Sequence, residues 1–214
     1  MLFIFDWDGT LCDSTAIITL AMQQAAQELG WDIPEDHEVH NIIGLGLPEA
    51  VAQLYPQTDA KACVELQHAY RRRFLELDAK QPPELFPSVQ ETLECLRQDG
   101  HSLAIATSKS RAGLERMLTG LGMAGYFHGS RCADETTSKP HPLMLNELLT
   151  EFATPAAEAV MIGDTEYDMA MARAIAMPRI AVSYGAHCPE RLHLYEPELC
   201  VDRLSQILQW RGCR

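Results

Sequence analysis

The alternation of short apolar runs with segments of helical periodicity constrains the fold of this chain more than any other feature. Apolar runs occupy residues 2–5, 102–107, 159–162 and 180–182, and amphipathic helical patterns separate them. Short buried strands that alternate with helices are typical of right-handed βαβ units around a parallel sheet. The sequence therefore predicts an α/β fold with a Rossmann-like parallel sheet and helices on both of its faces.

One long segment departs from this alternation. Residues 14–80 contain several amphipathic helical patterns and no strand signal, and Pro82 and Pro83 mark the return to alternating strands and helices. A chain of 214 residues is long enough for one domain with a sizeable insertion. We therefore expect an all-helical insertion at residues 15–80, within an α/β core formed by residues 1–14 and 81–214.

Serine residues are expected to begin two of the helices. Ser14 precedes the first helical pattern of the insertion. Ser88 and Glu91 have the spacing of a capping box, in which each side chain satisfies a backbone N–H group at the start of a helix. The sequence therefore predicts side-chain caps at Ser14 and Ser88.

Composition excludes several classes of protein. The chain has 30 acidic residues against 17 Lys and Arg, a net charge of −13, and such an acidic balance argues against a nucleic-acid partner. Its apolar runs are too short to span a membrane, and an acid at Asp6 breaks the N-terminal run, so we expect neither a membrane partner nor a signal peptide. Seven cysteines without any C-x-x-C spacing indicate idle thiols in a reducing compartment. We expect a cytoplasmic protein, either a monomer or a small homo-oligomer.

Charged and hydroxyl side chains follow the predicted strands. In an open parallel sheet, ligands bind beyond the carboxyl ends of the strands, so we expect these side chains to share one pocket. Crowded carboxylates raise one another's pKa unless a cation neutralises them, and a set with only oxygen ligands favours Mg²⁺ over zinc. The expected set is Asp6, Asp8, Thr107, Ser108, Lys139, Asp164 and Asp168.

This set of groups suits phosphoryl transfer. A carboxylate can attack phosphorus and form an aspartyl-phosphate that water then hydrolyses, while a second carboxyl group protonates the leaving oxygen and later activates the water. Asp6 and Asp8 are separated by one residue, so in an extended segment they point the same way. The turn at Gly9 is expected to let backbone amides approach a phosphate group.

Four motifs make this sequence resemble the haloacid dehalogenase-like hydrolase superfamily. They are Asp6-Trp-Asp-Gly-Thr10 after the first strand, Thr107 at the end of the second, Lys139 in Lys-Pro-His-Pro142, and Gly163-Asp-Thr-Glu-Tyr-Asp168. All four occur in the family's order across essentially the whole chain. The predicted helical insertion resembles the cap that phosphoglycolate phosphatase-like members carry after their first motif. In these relatives the cap closes over the site and shapes the choice of substrate.

The resemblance implies a role for each acid of the set. Asp6 would be the nucleophile and a metal ligand. Asp8 would be the acid/base and would lend its backbone carbonyl oxygen to the metal. Asp164 would be the third protein ligand of Mg²⁺, and Asp168 would orient Lys139 or a water molecule on the metal.

The resemblance also implies phosphate-binding positions. Thr107 and Lys139 would hold the phosphoryl oxygens. Two roles are open for Ser108: it contacts phosphate, or it caps the following turn.

The predicted cap lacks an obvious site for a second anionic group. Residues 14–60 contain no Lys or Arg, so the loop Gly44-Leu-Gly-Leu-Pro48 offers only backbone and apolar groups. A substrate with two anionic ends would need His40, Asn41 or the run Arg71–Arg73, although a solvated face is the more common fate of such a run.

The leading prediction is a Mg²⁺-dependent phosphatase that acts on a small phosphorylated metabolite, a phosphomonoester. Dehalogenating relatives lack the second acid of the first motif, so Asp8 argues against dehalogenation. A β-phosphoglucomutase-like sugar phosphomutase is an alternative, which the missing cation in the cap loop disfavours. A pyrophosphatase on the same scaffold and a non-catalytic phosphate-binding regulatory protein also remain open, although every acid that catalysis needs is present.

Overall fold

A six-stranded parallel sheet forms the centre of the molecule in a computed structural model that describes residues 1–210. Cys213 and the last residues of the predicted core lie outside this range. The strands lie in the order β3-β2-β1-β4-β5-β6. They are β1 (Leu2–Phe5), β2 (Ser102–Thr107), β3 (Gly129–Cys132), β4 (Ala159–Gly163), β5 (Arg179–Val182) and β6 (Leu199–Val201). The predicted Rossmann-like sheet is confirmed.

The central strand β1 is buried on both faces. Its neighbours β2 and β4 both pair with it in parallel. Phe3 and Phe5 join one hydrophobic cluster and Leu2 and Ile4 join another, because successive side chains of a strand point to opposite faces. This explains why its sequence is apolar throughout rather than alternating.

Helices cover both faces of the sheet, as the sequence predicts. In chain order, the α-helices after residue 80 are α5 (Val89–Gln98), α6 (Arg111–Gly120), α7 (Leu143–Glu151), α8 (Glu166–Arg173) and α9 (Pro189–His193). The cluster on one face takes buried residues from α5 and α6, and the cluster on the other takes them from α7 and α8.

Four helices lie between β1 and the remainder of the sheet. They are α1 (Thr15–Glu28), α2 (Asp36–His40), α3 (Leu47–Leu54) and α4 (Ala60–Lys80). Their buried residues form a hydrophobic cluster of their own, centred on side chains such as Met22, Leu66 and Phe74. Helix α1 begins and helix α4 ends where the sequence predicts the insertion to begin and end. The division into core and cap stays a prediction.

The longest described helix shows why no membrane span is found. Helix α4 has 21 residues but carries three consecutive arginines. No helix among residues 1–210 is both long and apolar enough to cross a bilayer.

Both predicted serine caps are wrong. Ser88 has a φ of 67°, in the left-handed region, and its side chain makes no cap hydrogen bond, so the capping box with Glu91 does not form. Ser14 directly precedes α1, but its hydroxyl donates to the carboxylate of Asp8 instead of capping the helix.

The strands β3 and β6 have no counterpart in the sequence prediction. Strand β3 reads Gly-Ser-Arg-Cys and lacks an apolar run, and β6 has only three residues. Both lie at the edges of the sheet, where partial exposure removes the continuous apolar pattern that marks the inner strands.

Candidate active site

Three carboxylates meet at the carboxyl end of the central strands. Asp6 follows β1, Asp164 follows β4, and Asp168 lies in the first turn of α8. One oxygen from each lies within 4.8 Å of the others, and all three side chains are at most 1% exposed. The fold therefore brings Asp6 together with two acids that lie 158 or more residues further along the chain.

The buried ammonium of Lys139 lies between two of these acids. Its Nζ is 2.7 Å from Asp6 Oδ1 and 2.7 Å from Asp168 Oδ1. Burial alone would lower the pKa of Lys139, but the carboxylates of Asp168 and Asp6 outweigh burial and raise it. Lys139 therefore stays charged and is held in place on both sides, which fits the expectation that Asp168 orients it.

The carboxylates outnumber the cation beside them. Burial raises the pKa of Asp6 well above its usual value; Lys139 opposes this shift, and Asp168 and Asp164 add to it. Burial, followed by the charge of Asp168, raises the pKa of Asp164 to about 7. Three carboxylates and one ammonium leave two negative charges, which a divalent cation would neutralise.

The donor atoms fit a hard divalent cation. All are carboxylate oxygens, and Asp6 Oδ2 is buried without a hydrogen-bond partner among residues 1–210. A buried and unpartnered carboxylate oxygen is costly unless a ligand completes it. The residues present therefore suit Mg²⁺, although Asp168 rather than the side chain of Asp8 joins Asp6 and Asp164 in this group.

The backbone packs closely around Asp164. Its Oδ1 accepts a hydrogen bond of 2.8 Å from the hydroxyl of Thr10, and its Oδ2 accepts one of 2.8 Å from the N–H of Ala186. A Cβ atom added at Gly185 would lie 2.2 Å from the Cβ of Asp164. Asp164 is thus fixed by two donors in a pocket without spare room.

Gly9 is part of this packing. Its φ is +79°, and an added Cβ would lie 2.2 Å from Asp164 Oδ2, so only glycine fits. Its N–H donates to the carbonyl oxygen of Cys12 at 2.9 Å, so this amide is not free for the phosphate contact expected from the sequence.

Asp8 has two partners that the sequence prediction missed. Its Oδ1 accepts a hydrogen bond from Ser14 and lies 2.9 Å from Nζ of Lys109. Nζ of Lys109 also lies 4.9 Å from the ring centre of Phe74 on α4. The signal for Lys109 was its position two residues after Thr107, at the same sheet edge as the acids.

The two predicted hydroxyls differ in their surroundings. Thr107 is fully buried, and its Oγ1 accepts a hydrogen bond of 3.2 Å from the N–H of Lys109, which leaves the hydroxyl hydrogen to donate. Ser108 is half-buried and borders a cavity between the helical segment and the sheet.

This cavity has a volume of about 580 Å³ and is walled by both parts of the chain. Helices α1 and α4 and residues 42–50 form one side, and residues 108–116 and 133–138 form much of the other. Among the four predicted carboxylates, only Asp8 lines it. The cavity therefore reaches the predicted acid/base, whereas buried Asp6 does not line it.

The predicted cap loop contacts the sheet side of the molecule through its backbone. The N–H of Gly46 donates to Oγ of Ser138 at 2.8 Å, and a Cβ at Gly44 would lie 2.8 Å from Oγ1 of Thr165. The carbonyl oxygen of Asn41 accepts a hydrogen bond of 2.7 Å from the hydroxyl of Tyr167. The side-chain oxygen of Asn41 accepts a hydrogen bond from Arg191.

Comparisons with known proteins agree with this geometry. Residues 3–182 match the family model described as haloacid dehalogenase-like hydrolase. The protein named "Probable phosphatase IndB" of Dickeya dadantii is 34% identical over 211 residues, which cover 97% of this chain and 91% of that protein. A phosphoglycolate phosphatase of Vibrio parahaemolyticus is 30% identical, with coverage of 97% and 94%.

A solved structure shows the same fold. The crystal structure of a predicted phosphoglycolate phosphatase from Haemophilus somnus superposes with a TM-score of 0.88 at 22% identity, covering 97% of this chain and 96% of that one. The family match spans both the predicted insertion and most of the sheet, and it includes all of the four motifs. The chain belongs to the haloacid dehalogenase-like hydrolase family.

Proposed function

We propose that this protein is a Mg²⁺-dependent phosphatase that hydrolyses a small phosphomonoester through an aspartyl-phosphate on Asp6. The observation that carries the proposal is the buried Asp6 carboxylate, which has one oxygen beside Lys139 and the other without a hydrogen-bond partner in the described chain. A carboxylate has two oxygens, so one can bind a metal ion while the other attacks phosphorus.

The first half of the reaction uses Asp6, Asp8 and their neighbours. An oxygen of Asp6 attacks phosphorus while the bond to the leaving oxygen breaks. Asp8 gives its proton to that oxygen, so the product leaves as an alcohol. Lys139 and the hydroxyl of Thr107 hold the phosphoryl oxygens, whose charge is spread over them during transfer.

The second half reverses the role of Asp8. Its carboxylate, now deprotonated, takes a proton from water, and the water oxygen attacks phosphorus. The bond to Asp6 breaks, which releases inorganic phosphate and restores the nucleophile. Lys109 and Ser14 orient the Asp8 carboxylate through both halves.

Mg²⁺ would be held by Asp6, Asp164 and the backbone carbonyl oxygen of Asp8, with Asp168 close by. When bound, it would offset the charge of the carboxylates and of the phosphoryl group. Without such a cation, a phosphate dianion would meet the excess negative charge of these acids.

The helices of residues 15–80 are proposed to act as a cap over the core. Their contacts with the core through Gly46, Asn41 and Phe74 support a closed arrangement, in which water is excluded until the aspartyl-phosphate forms. A location in the cytoplasm is supported by the cysteines of residues 1–210, all of which are unpaired.

Phosphate release from a panel of small phosphomonoesters tests the proposal. The panel begins with phosphoglycolate, the substrate in the names of several relatives, and runs with Mg²⁺ and with chelator. We expect metal-dependent release that Asp6→Asn abolishes, since the amide is a poor nucleophile while its shape preserves the fold. Release that persists in Asp6→Asn above a few per cent, or that chelator leaves unchanged, would contradict the mechanism.

A further inference from the structure

Of the three consecutive arginines on α4, two form ion pairs with glutamates and the third forms none within residues 1–210. Arg72 pairs with Glu28, and Nη2 of Arg73 lies 2.7 Å from Oε2 of the same glutamate. Arg73 also pairs with Glu76, at 2.8 Å. These two arginines tie α4 to α1 and do not line the cavity.

Arg71 faces the cavity instead. It lines the cavity wall, is exposed, and forms no ion pair within residues 1–210. The other two cations of the wall already have carboxylate partners: Lys109 lies against Asp8, and Nε of Arg116 lies 3.1 Å from Oδ2 of Asp78. Arg71 is therefore the cation of this wall, in the described chain, whose charge is not matched by a protein carboxylate.

The neighbouring residue locates Arg71 relative to the predicted chemistry. Tyr70 also lines the cavity, and burial, followed by the charge of Asp8, raises the pKa of its phenol, while Arg71 opposes the shift. Arg71, Tyr70 and Asp8 line the same cavity, whereas the buried side chains of Asp6 and Lys139 do not line it.

Two other acids, Asp134 and Glu49, line the wall. Asp134 accepts a hydrogen bond of 2.9 Å from the N–H of Arg111, and the carboxylate of Glu49 lies over Gly46. Neither forms an ion pair with Arg71. A single unpaired guanidinium matches the one charge and the two oxygens of a carboxylate, whereas a second phosphate would bring two charges.

We propose that Arg71 binds a carboxylate on the leaving group and so makes this enzyme selective for phosphomonoesters of hydroxy acids. The inference rests on the proposed phosphatase function. It adds the residue that binds the end of the substrate far from the phosphoryl group. It also explains how a cap without any cation in its loop can recognise an anionic leaving group.

The test compares two esters that differ in one charge: phosphoglycolate and the phosphate ester of glycolamide. Phosphate release is measured for wild type, Arg71→Met and Arg72→Met, each in Mg²⁺. Arg72→Met is the matched control, because it removes the same charge one residue away and outside the cavity. Thermal unfolding of each variant confirms that it folds.

We expect wild type and Arg72→Met to prefer phosphoglycolate. In Arg71→Met, kcat/KM for phosphoglycolate should fall by roughly 5- to 20-fold, mainly through KM, because the contact is made equally in the ground state and the transition state. Activity on the glycolamide ester should change by less than about twofold.

Three outcomes would overturn the inference alone: equal use of both esters by wild type, an equal loss on both esters in Arg71→Met, or the same loss of preference in Arg72→Met. If wild type released phosphate from neither ester nor from any other on the panel, the proposed function itself would fail and the inference with it.

Discussion

Replacing Asp164 by asparagine should stabilise the metal-free protein, and the gain should grow with pH. Asp164 is fully buried, and its pKa is raised to about 7 by burial and then by Asp168. Asparagine keeps the shape and both contacts: its oxygen can accept from the N–H of Ala186, and its amide can donate to the Thr10 hydroxyl, which turns to accept.

The sign follows from proton linkage. A carboxyl group whose pKa is raised on folding stays protonated in the folded protein at a pH where the unfolded chain has released the proton. Stability is therefore lost as pH rises from the unfolded pKa of about 4 to the folded pKa of about 7. Between pH 5 and pH 8, two pH units lie below the folded pKa. At about 1.4 kcal/mol each, they give a loss of about 3 kcal/mol.

The difference between the two proteins removes the contribution of titrating groups that Asp164 does not influence. His187 has the opposite sign, because burial, followed by the charge of Arg191, lowers its pKa to about 4 and stability is lost as pH falls. That contribution is common to wild type and Asp164→Asn and cancels in the comparison. For a chain of this length, a gap of about 3 kcal/mol corresponds to roughly 6 to 12 °C in Tm.

Urea unfolding in chelator at pH 5, 6, 7 and 8 measures the gap between the two free energies of unfolding. Adding Mg²⁺ at pH 8 should then stabilise wild type, by about 2.7 kcal/mol at a concentration 100 times Kd, and should stabilise the variant much less. A gap that stays constant from pH 5 to pH 8, or that shrinks, would refute the reasoning that buried carboxylates near Asp164 carry uncompensated charge.

Three further substitutions test other parts of the site. Lys139→Met should cost roughly 3 to 5 kcal/mol in urea unfolding, since it leaves two buried acids without their shared cation; a loss under about 1 kcal/mol would contradict the ion-pair argument. Gly9→Ala should destabilise the protein by about 1 to 3 kcal/mol in the same assay, because the Cβ of the alanine would clash with Asp164 at a positive φ. Unchanged stability would show that the turn can relax. Asp8→Asn should slow turnover by about 10² to 10⁴-fold in steady-state phosphate release; since the side chain lies outside the three-carboxylate group, stabilisation by Mg²⁺ should persist, and its loss would assign the Asp8 side chain to the metal.

The meeting of Asp6 and Asp164 could be predicted because it depends only on topology. Parallel strands end at one edge of the sheet, so residues that follow two neighbouring strands must be close, whatever the details of packing. The central strands are also the most apolar, and they are therefore the easiest to recognise in a sequence.

The partners of Asp8 could not be predicted in this way. A serine before a helix normally caps it, and only the position of Asp8 in space shows that Ser14 donates there instead. Lys109 at the start of a loop looks like an ordinary surface lysine, and its burial depends on Phe74, which comes from a distant helix. Contacts between the helical segment and the sheet depend on side-chain packing, which one sequence does not specify.

The hydrogen bond from Ser14 to Asp8 has a consequence for the engineering of new substrate ranges. Exchange of residues 15–80 for the helices of another relative treats the segment as an independent module. However, Ser14 immediately precedes α1 and donates a hydrogen bond to the predicted acid/base, Asp8. A transplanted first helix that leaves the core in a different direction would therefore move Ser14 away from Asp8. A successful graft must therefore reproduce the exit path of the chain at Ser14, and not only the shape of the new binding wall.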